Sequence, residues 1–162
     1  EAPGKNEDIQ CKPFVGISGK LLRDNLINAG FNLDECFITN TVMCRPPKNR
    51  DPNEQEKNIC KKYLYVKLKV IKPKLIVSIG RHATSLILNK DVEEIKITRM
   101  SGQLQKVHFN NDEVGIIPIL HPAYVFRSRA SQEPIFKRHV KNIYDYALEH
   151  NLNGIVKNEN WK

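Results

Sequence analysis

Two polar residues follow predicted strands, and their side chains could bind one small ligand. Asn40 comes late in the run ECFITNTVMC, and His121 directly follows the run VGIIPIL. An amide offers both a hydrogen-bond donor and an acceptor, and a histidine ring nitrogen can donate a hydrogen bond. Each residue also has an ordinary structural alternative. Asn40 could be a strand-end turn residue, and His121 could cap a helix or loop beside Pro122.

The segment after His121 is unusual because bulky apolar residues stand where a surface loop is predicted. In HPAYVFR, the side chains of Tyr124, Val125 and Phe126 lie between a proline and a basic stretch. Apolar residues on a loop are candidates for contact with a partner. The alternative is that the aromatic rings fold back onto the core, Tyr124 above all.

Four cysteines could bind a metal or remain free thiols. They are Cys11, Cys36, Cys44 and Cys60. No secretory signal peptide is visible, so thiols or metal ligands are favoured over disulfides.

The chain has 162 residues, enough for one domain with a real core, and a formal net charge of +8. This excess of basic over acidic residues favours a polyanionic partner, most of all a nucleic acid. The alternative is a solvated lysine-rich surface. No apolar run approaches the roughly 20 residues that span a bilayer.

Strands and helices alternate along the sequence and would position these residues. Apolar, β-branched runs predict strands in ECFITNTVMC, KLIVSIG and VGIIPIL. Helices are predicted for SGKLLRDNLINAGF with Gly30 as its C-terminal cap, and for RHATSLIL. A further helix begins with Asp51 as the capping acid, keeps an apolar stripe on one side and stops before Pro73, and the last helix covers residues 134–148. The stripe consists of Ile59, Tyr63, Val66 and Val70.

This alternation predicts a three-layer α/β fold with a central, mainly parallel, four-stranded sheet flanked by helices. Ligands bind at the carboxyl ends of strands in such sheets, which would bring Asn40 and His121 together. The chain begins at Glu1 with EAPGKNED and no methionine. A strand is expected just before such a turn, so the first strand is expected to be missing from this chain.

Five segments together resemble the ordered motifs of family 4 uracil-DNA glycosylases, the iron–sulfur branch of the uracil-DNA glycosylase superfamily. The segments are EAPGKNED, KPFVGISGKLL, ITNTVMCRPPKNRDP, GRHA and HPAYVFR. Each is weak alone, but five in order are highly specific. The resemblance implies a parallel sheet between helices. It also implies an enzyme that hydrolyses the N-glycosidic bond of uracil in DNA and leaves an abasic site.

The resemblance implies how uracil would be held. Uracil leaves as an anion, so the protein should bind a flipped base and stabilise charge on its oxygen. His121 matches the family histidine that donates a hydrogen bond to uracil O2. Asn40 matches the residue that reads the N3–H and O4 edge, and Phe14 matches the ring on which uracil stacks. Without the resemblance, Phe14 would be interpreted as ordinary core.

Two carboxylates, Glu1 and Glu7, match family residues that line the pocket. At the position of Ala2, family 1 enzymes carry an aspartate that positions water. Family 4 enzymes have alanine there, as this chain does. Water would then be held by another group, with Glu7 as the first candidate and Glu1 as the second. Glu7 could instead exclude the 5-methyl group of thymine.

The resemblance implies DNA contacts for two segments. HPAYVFR resembles the loop that enters the minor groove, with Val125 and Phe126 as an apolar wedge. Arg127 and Arg129 would then contact phosphates. RPPKNRDP resembles a proline-rich DNA-contacting loop, and its alternative is a helix-entry turn. Its expected phosphate contacts are Lys48, Asn49 and Arg50.

Cys44 and Cys60 stand where the family places the last two ligands of a [4Fe–4S] cluster. The usual first pair, a Cys-x-x-Cys ahead of the first strand, is not in this chain. Such a cluster usually needs four thiolates, so these two cysteines cannot hold one in the usual way. A substitute set with Cys11 or Cys36 is a weaker alternative.

We therefore expect a monofunctional uracil-DNA glycosylase domain over residues 1–150 and a tail over residues 151–162. Its partners would be uracil-containing DNA and replication or polymerase factors. We expect a monomer without membrane attachment, in the cytoplasm at the nucleoid, of bacterial, archaeal or viral origin.

Three alternatives remain open. The main one is a DNA-binding or polymerase-associated module of the same fold that has lost turnover. A covalent uracil-binding relative ranks lower because no basic, histidine-containing insert follows GRHA. An unrelated metal-binding protein would explain only Cys44 and Cys60.

Overall fold

The computed structural model describes residues 1–109 and 112–156. Within these ranges the chain forms seven α-helices and three strands. In chain order the elements are α1 (Lys5–Gln10), α2 (Ile17–Ala29), α3 (Glu54–Ile71), β1 (Leu75–Ile79), α4 (Gly80–Leu88), α5 (Ile97–Met100), β2 (Gln105–Phe109), β3 (Asp112–Ile119), α6 (Pro122–Arg127) and α7 (Arg129–Glu149).

The sheet confirms the α/β class, but in the described residues it is three-stranded and mixed. Its strand order is β1-β3-β2. β1 and β3 are parallel, with Ile79 opposite Ile119, and β2 is antiparallel to β3, with Gln105 opposite Ile116. β1 and β3 correspond to two of the predicted strands. β2 was not predicted because its polar, half-exposed sequence QKVHF lacks an apolar run.

The prediction of a strand in ECFITNTVMC is wrong for the described structure, where the run forms no strand. β-branched residues favour a strand, but a strand needs a neighbour that supplies ladder hydrogen bonds. The end of this run contacts the start of the chain instead. The Val42 N–H donates to the Glu1 carbonyl at 2.8 Å, and the Thr41 hydroxyl donates to the same oxygen at 3.0 Å.

Helix ends follow local sequence signals, with one correction. Gly30 terminates α2 in the left-handed region with φ 106°, as predicted. Helix α3 is capped by Asn53 rather than Asp51. The Asn53 side chain accepts from the Glu56 N–H at 2.8 Å, and the Glu56 carboxylate accepts from the Asn53 N–H at 2.9 Å. This reciprocal pair is a capping box, which satisfies two otherwise unbonded N–H groups.

The two faces of the sheet pack against different helices, which confirms the layered arrangement. Alternate residues of a strand point to opposite faces. Ile117 and Ile119 of β3 belong to a core with side chains of α2, α6 and α7, whereas Ile116 packs with Leu64 of α3 and Ile87 of α4.

The apolar stripe of α3 does not face the sheet. Ile59, Tyr63, Val66 and Val70 are exposed by 53, 60, 61 and 78% respectively. Such a stripe usually packs into a core. Here the sheet is covered by another side of α3, and the stripe faces outward.

HPAYVFR is helical, which corrects the predicted surface loop. Pro122 occupies the first turn of α6, where its missing N–H costs nothing and its fixed φ suits a helix. Ser128 then separates α6 from α7, and α7 begins at Arg129, before the predicted residue 134.

The first half of the predicted tail, residues 151–156, is hydrogen-bonded to the residues that directly follow α2. The Val156 N–H donates to the Gly30 carbonyl at 2.7 Å, and the Asn32 N–H donates to the Gly154 carbonyl at 2.9 Å. The rest of the predicted tail, residues 157–162, lies outside the described residues. Among the helices of the described ranges, none combines the length and apolar character needed to cross a membrane.

Candidate active site

A cleft of about 560 Å³ lies at the carboxyl ends of β1 and β3. Because these strands are parallel, their carboxyl ends meet at one edge of the sheet. β1 leads directly into Gly80 of α4, and β3 leads into His121. Both residues line the cleft, together with Glu1 and Tyr124.

His121 caps a helix and also faces this cleft. Its Nδ1 accepts a hydrogen bond from the Ala123 N–H at 3.2 Å, at the start of α6. Burial, aided by nearby positive charges that include Arg127, lowers the pKa of His121 to about 4. The ring is therefore neutral at pH 7. With Nδ1 accepting, its proton is assigned to Nε2, which can donate to a ligand.

Gly80 leaves the space that the His121 ring needs. Its φ of +80° lies in the left-handed region, and a Cβ there would come within 3.1 Å of the His121 Cβ and 3.3 Å of Cδ2. A side chain at this position would therefore strain the backbone and press on the ring. Gly80, the first residue of the motif GRHA, thus allows the ring of His121, the first residue of the motif HPAYVFR, to take its position.

Glu1 brings a carboxylate into the same cleft. Its Oε1 lies 3.5 Å from Nδ1 of His82. That oxygen is buried and has no hydrogen-bond partner within the described part of the chain. Burial is the main cause that lowers the pKa of His82, while Glu1 opposes it. The Glu1 oxygen is therefore able to accept a hydrogen bond from a polar ligand.

Glu7 and Asn40 line a second cleft, of about 300 Å³. Oε1 of Glu7 accepts from the Val15 N–H at 3.0 Å and from the Gly16 N–H at 2.7 Å. Phe14 lines neither of these two clefts, and its half-buried ring packs against the larger core. The structure therefore brings Glu1 to His121, and Glu7 to Asn40.

The start of the chain contributes to both clefts. Glu1 lines the first cleft, and Pro3 lines the second. Ala2 is half-buried and contributes no polar side-chain atom.

The predicted DNA wedge needs correction. Val125 is fully buried in the core, so it cannot enter a DNA groove in this conformation. Its neighbours Tyr124 and Phe126 are exposed by 40 and 44%. Arg127 lines the first cleft, and Arg129 is paired with Glu133.

The proline-rich loop forms a short 3₁₀ turn over Pro47–Asn49. Lys48 and Asn49 are exposed and adopt φ of 52 and 58°. The Arg50 guanidinium donates to both carboxylate oxygens of Glu56 at 2.8 Å. Arg50 therefore supports the start of α3, which agrees with the alternative interpretation of this segment as a helix-entry turn. Its guanidinium donors are already bonded to Glu56, so they would be less available to a phosphate.

The thiols present do not form a complete cluster site. Cys44 is exposed and Cys60 half-buried, and both are free thiols. Within residues 1–109 and 112–156, no group of three or more histidine, cysteine or acidic side chains is placed to hold a metal ion. Two thiolates are half of the usual set for a [4Fe–4S] cluster, so this chain alone does not fit the group.

Among the residues that line the first cleft, Gly80 and His82 were assigned no role from sequence. Tyr124, which could have folded back onto the core, lines the cleft and is 40% exposed. The motifs GRHA and HPAYVFR contained the signal, because two motifs that follow neighbouring parallel strands meet at one sheet edge.

Residues 1–147 match a family model described as the uracil DNA glycosylase superfamily. The chain belongs to the uracil-DNA glycosylase superfamily. A type-4 uracil-DNA glycosylase of Archaeoglobus fulgidus is 41% identical over 142 residues, which cover 85% of this chain and 71% of the relative. That of Sulfurisphaera tokodaii is 38% identical over an alignment of 170 positions, which covers 99% of this chain and 76% of the relative. That of Saccharolobus solfataricus is 43% identical over 126 residues, which cover 76% of this chain and 58% of the relative. These similarities confirm the resemblance to family 4.

Proposed function

We propose that this protein is a monofunctional uracil-DNA glycosylase that hydrolyses the N-glycosidic bond of uracil in DNA and leaves an abasic site. The observation that carries the proposal is the position of the His121 ring, which lines the first cleft at the carboxyl ends of two parallel strands. Its Nδ1 is bonded to the helix that follows, so Nε2–H is left to act on a ligand. The similarity to type-4 enzymes supports uracil as that ligand.

In the proposed reaction, the bond between uracil N1 and the sugar C1′ breaks, and its electron pair leaves with uracil. The His121 Nε2–H donates to O2, where negative charge develops, and the sugar becomes oxocarbenium-like. A water molecule then adds to C1′ and releases a proton to solvent, and the uracil anion takes up a proton from solvent. We assign the orientation of this water to Glu1, because its Oε1 is buried in the same cleft and has no hydrogen-bond partner among the described residues.

Uracil recognition is proposed for Asn40 and Phe14, with Ala2 between the two clefts. The amide of Asn40 can accept from N3–H and donate to O4. Asn40 lines the second cleft and His121 the first, and residues at the start of the chain line both. A base that contacts both residues would lie against this short segment.

DNA is the proposed partner, since a net charge of +8 favours a polyanion. Lys48, Asn49 and Arg127 are the proposed phosphate contacts, and Phe126 is the proposed wedge. Arg50 and Arg129 would contribute less, because each is already paired with a glutamate.

We further propose that the protein acts as a monomer on cytoplasmic, nucleoid DNA. No step of the reaction requires a cluster at Cys44 and Cys60.

The test is a single-turnover cleavage assay on a uracil-containing oligonucleotide. His121→Ala removes the donor and the cap, whereas His121→Asn keeps an oxygen that can accept from the Ala123 N–H. Both variants should slow cleavage by about 10²–10³, the cost of losing one oxyanion donor. If His121→Asn cleaves as fast as the parent, His121 is a cap only. A parent that binds this DNA without cutting it would favour the non-catalytic DNA-binding alternative.

A further inference from the structure

The Glu7 carboxylate is used to hold a backbone segment. Glu7 lies on α1, and its Oε1 accepts the N–H groups of Val15 and Gly16 at 3.0 and 2.7 Å. Hydrogen bonds from N–H groups to a carboxylate are about twice as strong as neutral ones. These two bonds fix the residues that directly follow Phe14 to α1.

Three glycines leave room for this arrangement. A Cβ at Gly4 would come within 2.7 Å of Oε2 of Glu7, and a Cβ at Gly16 within 3.2 Å of Oε1. A Cβ at Gly19 would come within 2.3 Å of the Phe14 carbonyl carbon. The carboxylate and the Phe14 backbone are therefore enclosed so closely that side chains at these positions would displace them.

Phe14 is held in an unusual conformation. Its φ of 54° lies in the left-handed region, which residues other than glycine rarely adopt. Such a conformation persists where the surrounding structure enforces it, and these places are often functional. The Glu7 bonds begin at the next residue, so they act directly on the peptide that sets the position of the Phe14 ring.

We propose that Glu7 is a positioning residue that acts through Phe14, and that it does not orient the attacking water. The inference deepens the proposed uracil-DNA glycosylase function and rests on it. Glu7 lines the second cleft, whereas Glu1 shares the first cleft with His121. With its Oε1 already accepting two N–H groups, Glu7 serves this segment as a hydrogen-bond acceptor.

A double-mutant cycle tests this role, with single-turnover rates of Glu7→Ala, Phe14→Ala and the double variant. If Glu7 acts through Phe14, the double variant should cleave uracil DNA within about threefold of Phe14→Ala. If Glu7 orients water independently, the two losses should multiply, and that result would overturn the proposal. Glu7→Gln retains an oxygen that can accept both bonds, so it should be at least about tenfold faster than Glu7→Ala. A Glu7→Gln variant as slow as Glu7→Ala would also overturn it.

Amide hydrogen exchange gives a readout that does not need activity. Glu7→Ala should speed exchange at Val15 and Gly16, because their shared acceptor is gone. Asp8→Ala, the matched loss of an exposed carboxylate on the same helix, should leave these two amides unchanged. Unchanged exchange in Glu7→Ala would refute the inference. If the parent does not cut uracil DNA, the proposed function fails, and the exchange result alone decides whether Glu7 fixes the Phe14 segment.

Discussion

The two ring nitrogens of His121 have different partners. Nδ1 accepts from the Ala123 N–H and so contributes to the start of α6, and Nε2 is left for the cleft. Protonation of the ring would turn Nδ1 into a donor that faces another donor. The same contact that orients the ring therefore also requires it to be neutral.

We predict that His121 makes the folded state less stable at acid pH. Its folded pKa of about 4 lies below the unfolded value of 6.5, so the unfolded chain binds more protons between these limits. The stabilisation should be complete above pH 6.5 and decrease as the pH falls to 4, by on the order of 3 kcal/mol. Chemical denaturation of the parent and of His121→Asn at several pH values would measure this.

The matched control for this measurement is His108→Asn, which removes an exposed histidine. The His121→Asn variant should have a flatter dependence of unfolding free energy on pH than the parent, and His108→Asn should follow the parent. Equal slopes for the parent and His121→Asn would mean that His121 is not buried in its neutral form.

Gly80 and Gly154 allow the effect of backbone strain to be separated from the effect of pressure on the His121 ring. Their φ values are +80 and +79°, but a Cβ at Gly154 would only reach ordinary contact, 3.4 Å from the Cys36 Sγ. Alanine at either position should lower stability by about 1 kcal/mol. Only Gly80→Ala should also slow uracil cleavage, by about tenfold or more, because it displaces His121. Equal rates for the two folded variants would contradict this role of Gly80.

At the scale of elements, α6 presents two neighbouring residues with opposite roles. Val125→Ala should lower stability by about 1–3 kcal/mol, because it removes buried methyl groups. Phe126→Ala should change stability little and should reduce cleavage of a U·A pair most, a U·G mismatch less, and single-stranded DNA least. Thermal unfolding and three single-turnover rates on each variant test this. A uniform loss on all three substrates for Phe126→Ala would show that Phe126 is not a wedge.

Elements with a single strong pattern were predictable from sequence, whereas elements that depend on neighbours were not. The apolar runs of β1 and β3 have one interpretation, and both strands are present. The run that contains Asn40 is also rich in β-branched and apolar residues, yet it forms no strand in the described structure. The helical spacing of apolar residues alone also could not decide which side of α3 is buried. The helix carries one apolar stripe that includes Tyr63 and another that includes Leu64.

The site was predictable where a side chain follows a strand and unpredictable where it bonds to a loop. The position of His121 after β3 follows from the order of elements and from the family motif. The bonds from Val15 and Gly16 to Glu7 could not be foreseen, because a hydrogen bond between a helix side chain and a loop depends on how the chain folds back on itself. The burial of Val125 depends on the rotation of a short helix, which a pattern of three consecutive apolar residues does not fix.

For the whole molecule, we predict a strong salt dependence of DNA binding. Each neutralised phosphate releases a counterion, so the logarithm of the binding constant falls linearly with the logarithm of salt concentration. Lys48→Ala and Arg127→Ala should each reduce this slope by about 1. Fluorescence anisotropy of a labelled uracil oligonucleotide over a salt series would measure it. Lys141→Ala, which removes an ammonium already paired with Asp145, should leave the slope unchanged. An unchanged slope for Lys48→Ala and Arg127→Ala would exclude both from the DNA interface.

The outward-facing stripe of α3 also gives the molecule the properties of a patchy colloid. Ile59, Tyr63, Val66 and Val70 attract at short range, and the net charge of +8 repels at long range. Added salt shortens the range of the repulsion to about 3 Å at 1 M, and sulfate strengthens the attraction. The osmotic second virial coefficient should therefore fall as salt rises. The wash that strips bound nucleic acid from this protein will also drive its molecules together.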